Sequence, residues 1–195
     1  MKNYFIFVIM FLLSLSAISC KKDNNPINNT DINPNKIFPL SVGNQWIVQV
    51  TNYDTTGAVH YTQIDTITIL RDTTIQSEKW FIGYGIMTNR NDGLYDYQAS
   101  TSSVISLRYK FPTTVNSNYL YRGSQTKVIS ISDSITVQAG NYICYHYRVG
   151  FDGISYSDEY FSPNVGLIKI DAYNPLSGGR VYKYLSYSLI KAIIK

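Results

Sequence analysis

The sequence predicts an all-β domain, an antiparallel meander of roughly a dozen strands forming a curved sheet, an open barrel or a sandwich. Three observations predict it. Apolar and polar residues alternate with a period of two in short runs along most of the chain, and Gly, Asn, Asp and Pro punctuate those runs at short intervals. Residues that favour strands are abundant, with 18 Tyr and 8 Phe among 195 residues, and aromatic rings fit a pleated, half-buried surface. No long segment carries the 3.6-residue period of an amphipathic helix.

The pattern is clearest over residues 135–169. Expected turns fall at Gly140-Asn141, Asp152-Gly153 and Pro163-Asn164-Val165-Gly166. An Asp-Gly pair between strands favours a type I′ hairpin, because both central residues need positive φ. Strict alternation then puts Ile143, Tyr145, Tyr147 and Val149 on one face and Cys144, His146 and Arg148 on the other. On the returning strand Ile154, Tyr156, Asp158 and Tyr160 alternate with Ser155, Ser157, Glu159 and Phe161. Pro163 has no N–H to give a ladder and should end that strand near Ser162.

The other elements follow in order. Gly43-Asn44 feeds a strand over 46–53, in which Trp46 plugs one end of the core. Residues 54–57 make a hairpin loop. A long strand over 59–70 sets Ile64, Thr66, Thr68 and Leu70 against Asp65, Ile67 and Ile69. Residues 71–78 read as a loop, 79–88 as one strand containing Trp80, and 89–93 as a turn leading to a strand at 94–97. Strands are expected at 104–111, 119–122, 126–131 and 135–138, and the last at 180–190 after a loose loop at 174–179. The tail at 189–195 reads as a strand end or one helical turn.

Residues 1–19 read as a leader, with Lys2 followed by an apolar run over 4–15 and small residues before Cys20. The run is too short for a spanning helix and has the layout of a signal peptide. Ala17-Ile18-Ser19-Cys20 resembles the lipobox of bacterial lipoproteins, which implies cleavage before Cys20 and acylation of that residue. Residues 20–36 carry six asparagines and two prolines and too little apolar surface to fold, so they read as a tether. The Cys-Lys-Lys-Asp start resembles that of many Bacteroidetes lipoproteins, in which charge after the cysteine accompanies export to the cell surface. Residues 37–195 are long enough for a single domain with its own core.

Two further matches belong to that domain. Pro39-Leu40-Ser41-Val42-Gly43-Asn44-Gln45-Trp46 resembles the PL-x-VGN-x-W opening of uncharacterised Bacteroidetes lipoproteins. Residues 137–142 with 159–169 resemble a "V-x-AG-x-[FY]" then "[YF]-x-P-x-[VL]GL[VI]" pairing of extracytoplasmic domains related to the open β-barrels of lipoprotein carriers. The resemblance implies a fold and an envelope location at the outer membrane. Its motifs are turns, and it brings no catalytic residue.

Composition narrows the partners. A formal net charge of +4, with basic residues scattered along the chain, gives no footprint for nucleic acid. The chain has two cysteines; with Cys20 acylated, Cys144 has no partner and reads as a small buried group. The two histidines, His60 and His146, exclude a three-histidine zinc site and lack metal-ligand spacing. Each reads as a satisfied or exposed strand residue. Residues 89–93 fail the calcium-loop register. Asp158 and Glu159 are adjacent on a strand, point to opposite faces and make no acid pair from their own strand. No nucleophile elbow or phosphate-binding glycine loop is present, and no cofactor is implied. The expectation is a non-enzymatic, lipid-anchored envelope domain, joined to the membrane through Cys20. It binds a glycan, protein or lipid through exposed Tyr and Trp, with Tyr95, Tyr97, Tyr145 and Tyr147 as candidate contacts. The alternatives are a carrier of an apolar ligand or lipoprotein, and a hydrolase with a carboxylate pair assembled from distant strands.

Overall fold

The computed structural model describes residues 36–99, 103–151 and 154–195. The leader, Cys20, the tether up to residue 35 and the Asp152-Gly153 turn lie outside the described residues. Thirteen strands are present among the described residues, all paired antiparallel, in an eight-stranded and a five-stranded sheet that remain unclosed.

Strands β1 (Gln45–Tyr53) and β2 (Val59–Thr68) form a hairpin. Asp54 shapes its loop, accepting hydrogen bonds from the backbone N–H of Thr56 at 2.8 Å and of Ala58 at 3.0 Å. The chain then runs through Ile69 and Leu70 into β3 (Arg71–Ile75), leaving one sheet for the other. The second sheet continues as a meander through β4 (Glu78–Ile82), β5 (Ile86–Arg90), β6 (Gly93–Gln98) and β7 (Val104–Lys110). After a cis Phe111–Pro112 bond the chain returns to the first sheet as β8 (Asn118–Tyr121), β9 (Ser124–Val137), β10 (Gly140–Phe151), β11 (Ser155–Ser162), β12 (Gly166–Pro175) and β13 (Val181–Ile193). Strand β13 pairs with β1. Spatial order therefore follows chain order all the way round, with the ladder interrupted at two places, β2 to β3 and β7 to β8.

The first interruption is bridged by backbone. Gly43 N–H donates to the Ile69 carbonyl at 2.8 Å, Ile69 N–H to the Asn44 carbonyl at 2.9 Å, and Leu70 N–H to the Ile82 carbonyl at 2.8 Å. Asn44 is fully buried. Its Nδ2 donates to the Pro39 carbonyl and its Oδ1 accepts from Lys195 N–H, both at 2.9 Å. Trp46 sits beside it, fully buried as expected, stacked on Phe38 at 4.3 Å and donating Nε1–H to the Val165 carbonyl at 2.6 Å. Gly166, at φ 91°, lets that carbonyl approach; a Cβ there would lie 2.8 Å from the Phe38 ring. The core spreads from this corner through Val48, Ile67, Leu94, Tyr109, Val128, Phe161 and Leu189.

Several expected elements are corrected. Residues 71–75 form a strand and not a loop, because Thr73, Thr74 and Ile75 suit a ladder, and Gln76 and Ser77, at φ 50° and 64°, make the hairpin turn without Gly or Asn. The single strand expected over 79–88 is two, broken at Gly83-Tyr84-Gly85; a Cβ on Gly83 would fall 2.5 Å from the Thr68 carbonyl. The strands expected at 126–131 and 135–138 are one, β9. The following turn occupies Gln138-Ala139 and not Gly140-Asn141, since Gly140 already pairs with Val137. The tail is strand to Ile193.

Strict alternation also fails in β10. Cys144 pairs with Asp133 and Tyr147 with Val128, so β9 spends two extra residues over this span. Such bulges turn a strand. Cys144 and Tyr147, three residues apart, consequently both enter the core, and the hairpin tip folds back so that Ala139 N–H donates to the Leu189 carbonyl of β13 at 3.2 Å. Cys144 is the buried apolar group expected, its thiol pushed up to about 12 by burial and then by Asp133.

Asn44→Asp keeps the shape of the side chain but sets a carboxylate oxygen against the Pro39 carbonyl. It should cost at least about 2 kcal/mol, read as a lowered midpoint in urea unfolding.

Candidate functional site: polar clusters between and outside the sheets

A crevice of about 20 Å³ lies between the sheets. Phe38, Ile67, Phe161, Leu167 and Ile170 line it from one side, and Tyr84, Met87, Leu94, Arg108 and Tyr109 from the other. That is room for about one water-sized probe. Tyr84 is exposed beside it on the Gly83–Gly85 turn.

Arg108 is the cation of this crevice. Its guanidinium lies over the rings of Tyr109, Tyr84 and Tyr121 at 5.4, 5.6 and 5.9 Å, a placement that suits its planar, weakly hydrated charge. Its Nε donates to the Tyr109 hydroxyl at 3.3 Å, and that hydroxyl donates to Glu159. Ser157 donates to the other oxygen of Glu159 at 2.6 Å. Nearby, Asp96 accepts from the Tyr121 hydroxyl at 2.6 Å and from Arg122. Burial raises the phenol of Tyr109 well above its ordinary value and that of Tyr121 up to about 12. Both therefore remain neutral donors near neutral pH.

A second cluster lies on the other face of the eight-stranded sheet. The imidazole of His146 is buried, with Nδ1 3.1 Å from Asp133 and Nε2 3.0 Å from Asp158. Arg148 donates Nε and Nη2 to Asp158 at 2.8 and 3.0 Å, and the Tyr160 ring covers the imidazole at 4.4 Å. Burial would raise the Asp158 carboxyl, but hydrogen bonds from His146 and Arg148 outweigh it and hold the group below its ordinary value. One strand over, Asp171 accepts from Ser186 at 2.7 Å and pairs with Lys169 at 2.7 Å and Lys183 at 3.5 Å. A polar groove of about 230 Å³, bordered by Asn118, Gln125, Lys127, Arg148 and Gly150, adjoins this row.

The four tyrosines singled out from the sequence do not form one exposed face. Tyr147 is fully buried, its hydroxyl donating to the Lys110 carbonyl at 2.9 Å. Tyr145 is half-buried, edge-on to Phe111 at 5.0 Å. Leu94 enters the core and Tyr95, the next residue, lies on the far side of the five-stranded sheet. There it lies 4.4 Å beneath Arg90 and donates to Asp92 at 2.7 Å. Tyr97 is half-buried near Trp80, with ring centroids 5.8 Å apart. Trp46 and Trp80 are both fully buried, which corrects the expectation of an exposed tryptophan. Asp158 and Glu159 do point to opposite faces, one to each cluster. Arg108, Tyr109, Asp96, Tyr121 and Arg122 were not foreseen: they meet Glu159 or one another only through the strand order. No family, curated protein or solved structure matches this chain.

A carboxyl held below its unfolded value stabilises the fold at pH above about 3.9, and that stability is lost as pH falls through the folded value. Stability measured by urea unfolding should therefore fall steeply on acidification below about pH 4. Asp158→Asn should be less stable at neutral pH and should flatten that acid limb.

Proposed function

We propose that this chain is a lipid-anchored cell-envelope domain with a non-catalytic binding or structural role, tethered to the outer membrane by acyl chains on Cys20. The leader and the cysteine that follows it support the anchor. One observation carries the non-catalytic reading. Asp96, Asp158, Glu159 and Asp171 each already accept from two or more donors, and the half-buried Asp133 lies against His146. At Asp158 these donors stabilise the ionised form, and all of these carboxylates are engaged within the protein, whereas a general acid must be aimed at a substrate. Paired in this way, the carboxylates organise the sheets.

The carrier alternative draws on the apolar crevice beside Tyr84 and Arg108. It requires the sheets or the Tyr84 turn to open, since about 20 Å³ holds no acyl chain. Native mass spectrometry of the full chain extracted from envelopes separates the readings. A stoichiometric small molecule retained on the protein would make the carrier reading primary; a clean apo mass is the outcome expected for a surface-binding domain.

Two results should accompany it. Cys20→Ser should abolish incorporation of a palmitate analogue and release the chain from the membrane fraction. Glu159→Gln and Asp96→Asn should leave every rate unchanged on a glycoside and ester substrate panel; a wild-type rate above background that either change removes would restore the hydrolase reading.

A further inference from the structure

We infer that the corner where the tether enters the domain is a bilayer-contacting face, with Val42, Leu70 and Tyr84 seated among the lipid headgroups and Lys36, Arg71 and Lys195 over their phosphates. The inference rests on the reading of Cys20 as the acylated residue. Adjacent segments bring the apolar side chains to this corner. Gly43 N–H, next to Val42, donates to the Ile69 carbonyl at 2.8 Å, and Leu70 N–H donates to the Ile82 carbonyl at 2.8 Å. The Gly83-Tyr84-Gly85 turn lies against the same passage, since a Cβ on Gly83 would fall 3.3 Å from Ile69 Cα. Val42 is 46 %, Leu70 67 % and Tyr84 54 % exposed. A single exposed apolar residue is ordinary. Three on adjoining segments, one of them a tyrosine, suit a boundary between water and lipid.

The same corner is basic. Lys36, Arg71 and Lys195 are all exposed. The Lys195 ammonium crosses Gly43, where a Cβ would lie 2.5 Å from Nζ. None of the three cations makes an ion pair among the described residues. The carboxylates nearest to Leu70 in the chain are engaged, Asp65 by the Thr66 N–H at 2.7 Å and Asp72 by Lys79 at 2.6 Å. Anionic headgroups attract such side chains, and a lysine stem can follow apolar surface while its ammonium reaches a phosphate.

The point at which the tether arrives makes a bilayer the occupant. The Lys36 carbonyl accepts from Asn164 N–H at 3.1 Å, and the Pro39 carbonyl accepts from the Asn44 side chain at 2.9 Å. The chain is therefore bonded to this corner from its first described residue. Lys21 to Lys36 are 16 residues, and a coil of that length has a root-mean-square span of roughly 20–24 Å. Strand β11 leads away from the corner, from Ser162 back to Ser155, a length of about 23 Å at ~3.3 Å per residue. Phe151 and Ile154 are also exposed, but they lie at that far end, a strand's length further from the acyl chains. Of the exposed apolar groups at the two ends of β11, those at the tether corner are held near lipid.

The test uses the full acylated chain, extracted from envelopes and reconstituted into vesicles of phosphatidylethanolamine and phosphatidylglycerol with brominated acyl chains. Leu70→Cys and Ile154→Cys each carry a polarity-sensitive dye; Cys144 is buried and leaves the new thiol as the reactive one. The dye at position 70 should shift to the blue and lose emission to the brominated chains. The dye at position 154 should keep its aqueous spectrum. Adding Arg71→Glu and Lys195→Glu to Leu70→Cys should restore the emission while the chain still floats with the vesicles. A chain that floats with an unquenched dye at position 70, equal quenching at position 154, or quenching that survives the two glutamates would overturn the inference alone. A chain that fails to float would overturn the anchor and the inference together.

Discussion

Asn44 holds three distant parts of the chain at one point. Its backbone N–H donates to Ser41, its carbonyl accepts from Ile69, its Nδ2 donates to Pro39 and its Oδ1 accepts from Lys195. The entering segment, the passage from one sheet to the other and the end of β13 are all bonded to one buried residue. A buried amide must have partners for both ends of its side chain, and this one has them only when the entering segment and the chain end are both in place, while Ile69 satisfies its backbone carbonyl. Its partners therefore form together or not at all, which makes the corner cooperative. Trp46 adjoins it, so the polar tie and one of the two fully buried indoles share one corner of the core.

The interior is also unusual in its polar content. Aromatic rings line the gap, and among them lie Arg108, Asp96 and Glu159, with the exposed Arg122 reaching Asp96 from the surface. Removing such charges from water costs several kcal/mol per ion unless each is paired. Tyrosine resolves the problem here. Tyr109 passes a hydrogen bond between Arg108 and Glu159, and Tyr121 serves Asp96 while lying under Arg108. The tyrosine content that stands out in the composition thus has a structural use: the hydroxyl connects charges that do not touch, and the ring supplies packing area around them.

Much of the fold is legible in the sequence because it depends on local rules. Alternation, turn residues and the stop at Pro163 locate most strands to within a few residues. Gly43, Asn44 and Trp46 give the Val-Gly-Asn-Gln-Trp opening a physical use: a positive φ, a four-way hydrogen-bonding residue and a core plug. The errors arise where tertiary context overrides a local rule. A Gln76-Ser77 turn lacks the usual residues, and the two extra residues of β9 change which face Tyr147 and Cys144 occupy. The clusters were less legible. Tyr109 and Glu159 are 50 residues apart, and nothing local marks them as partners. Only the Asp158-Glu159 doublet gave a signal, and its two members serve opposite faces.

The circular strand order has a consequence for how the domain is made. Every ladder but one joins strands that are neighbours in the chain, and such hairpins close short loops quickly. The exception is β1 with β13, separated by the whole domain. During synthesis from the N-terminus, β1 emerges first and its second neighbour last. Until residues 181–193 arrive, Trp46, Val48 and Val50 have only β2 beside them. The nascent domain therefore spends its assembly with its main aromatic anchor uncovered, the kind of exposed surface that chaperones occupy, and folding is completed in one late event when the last strand docks.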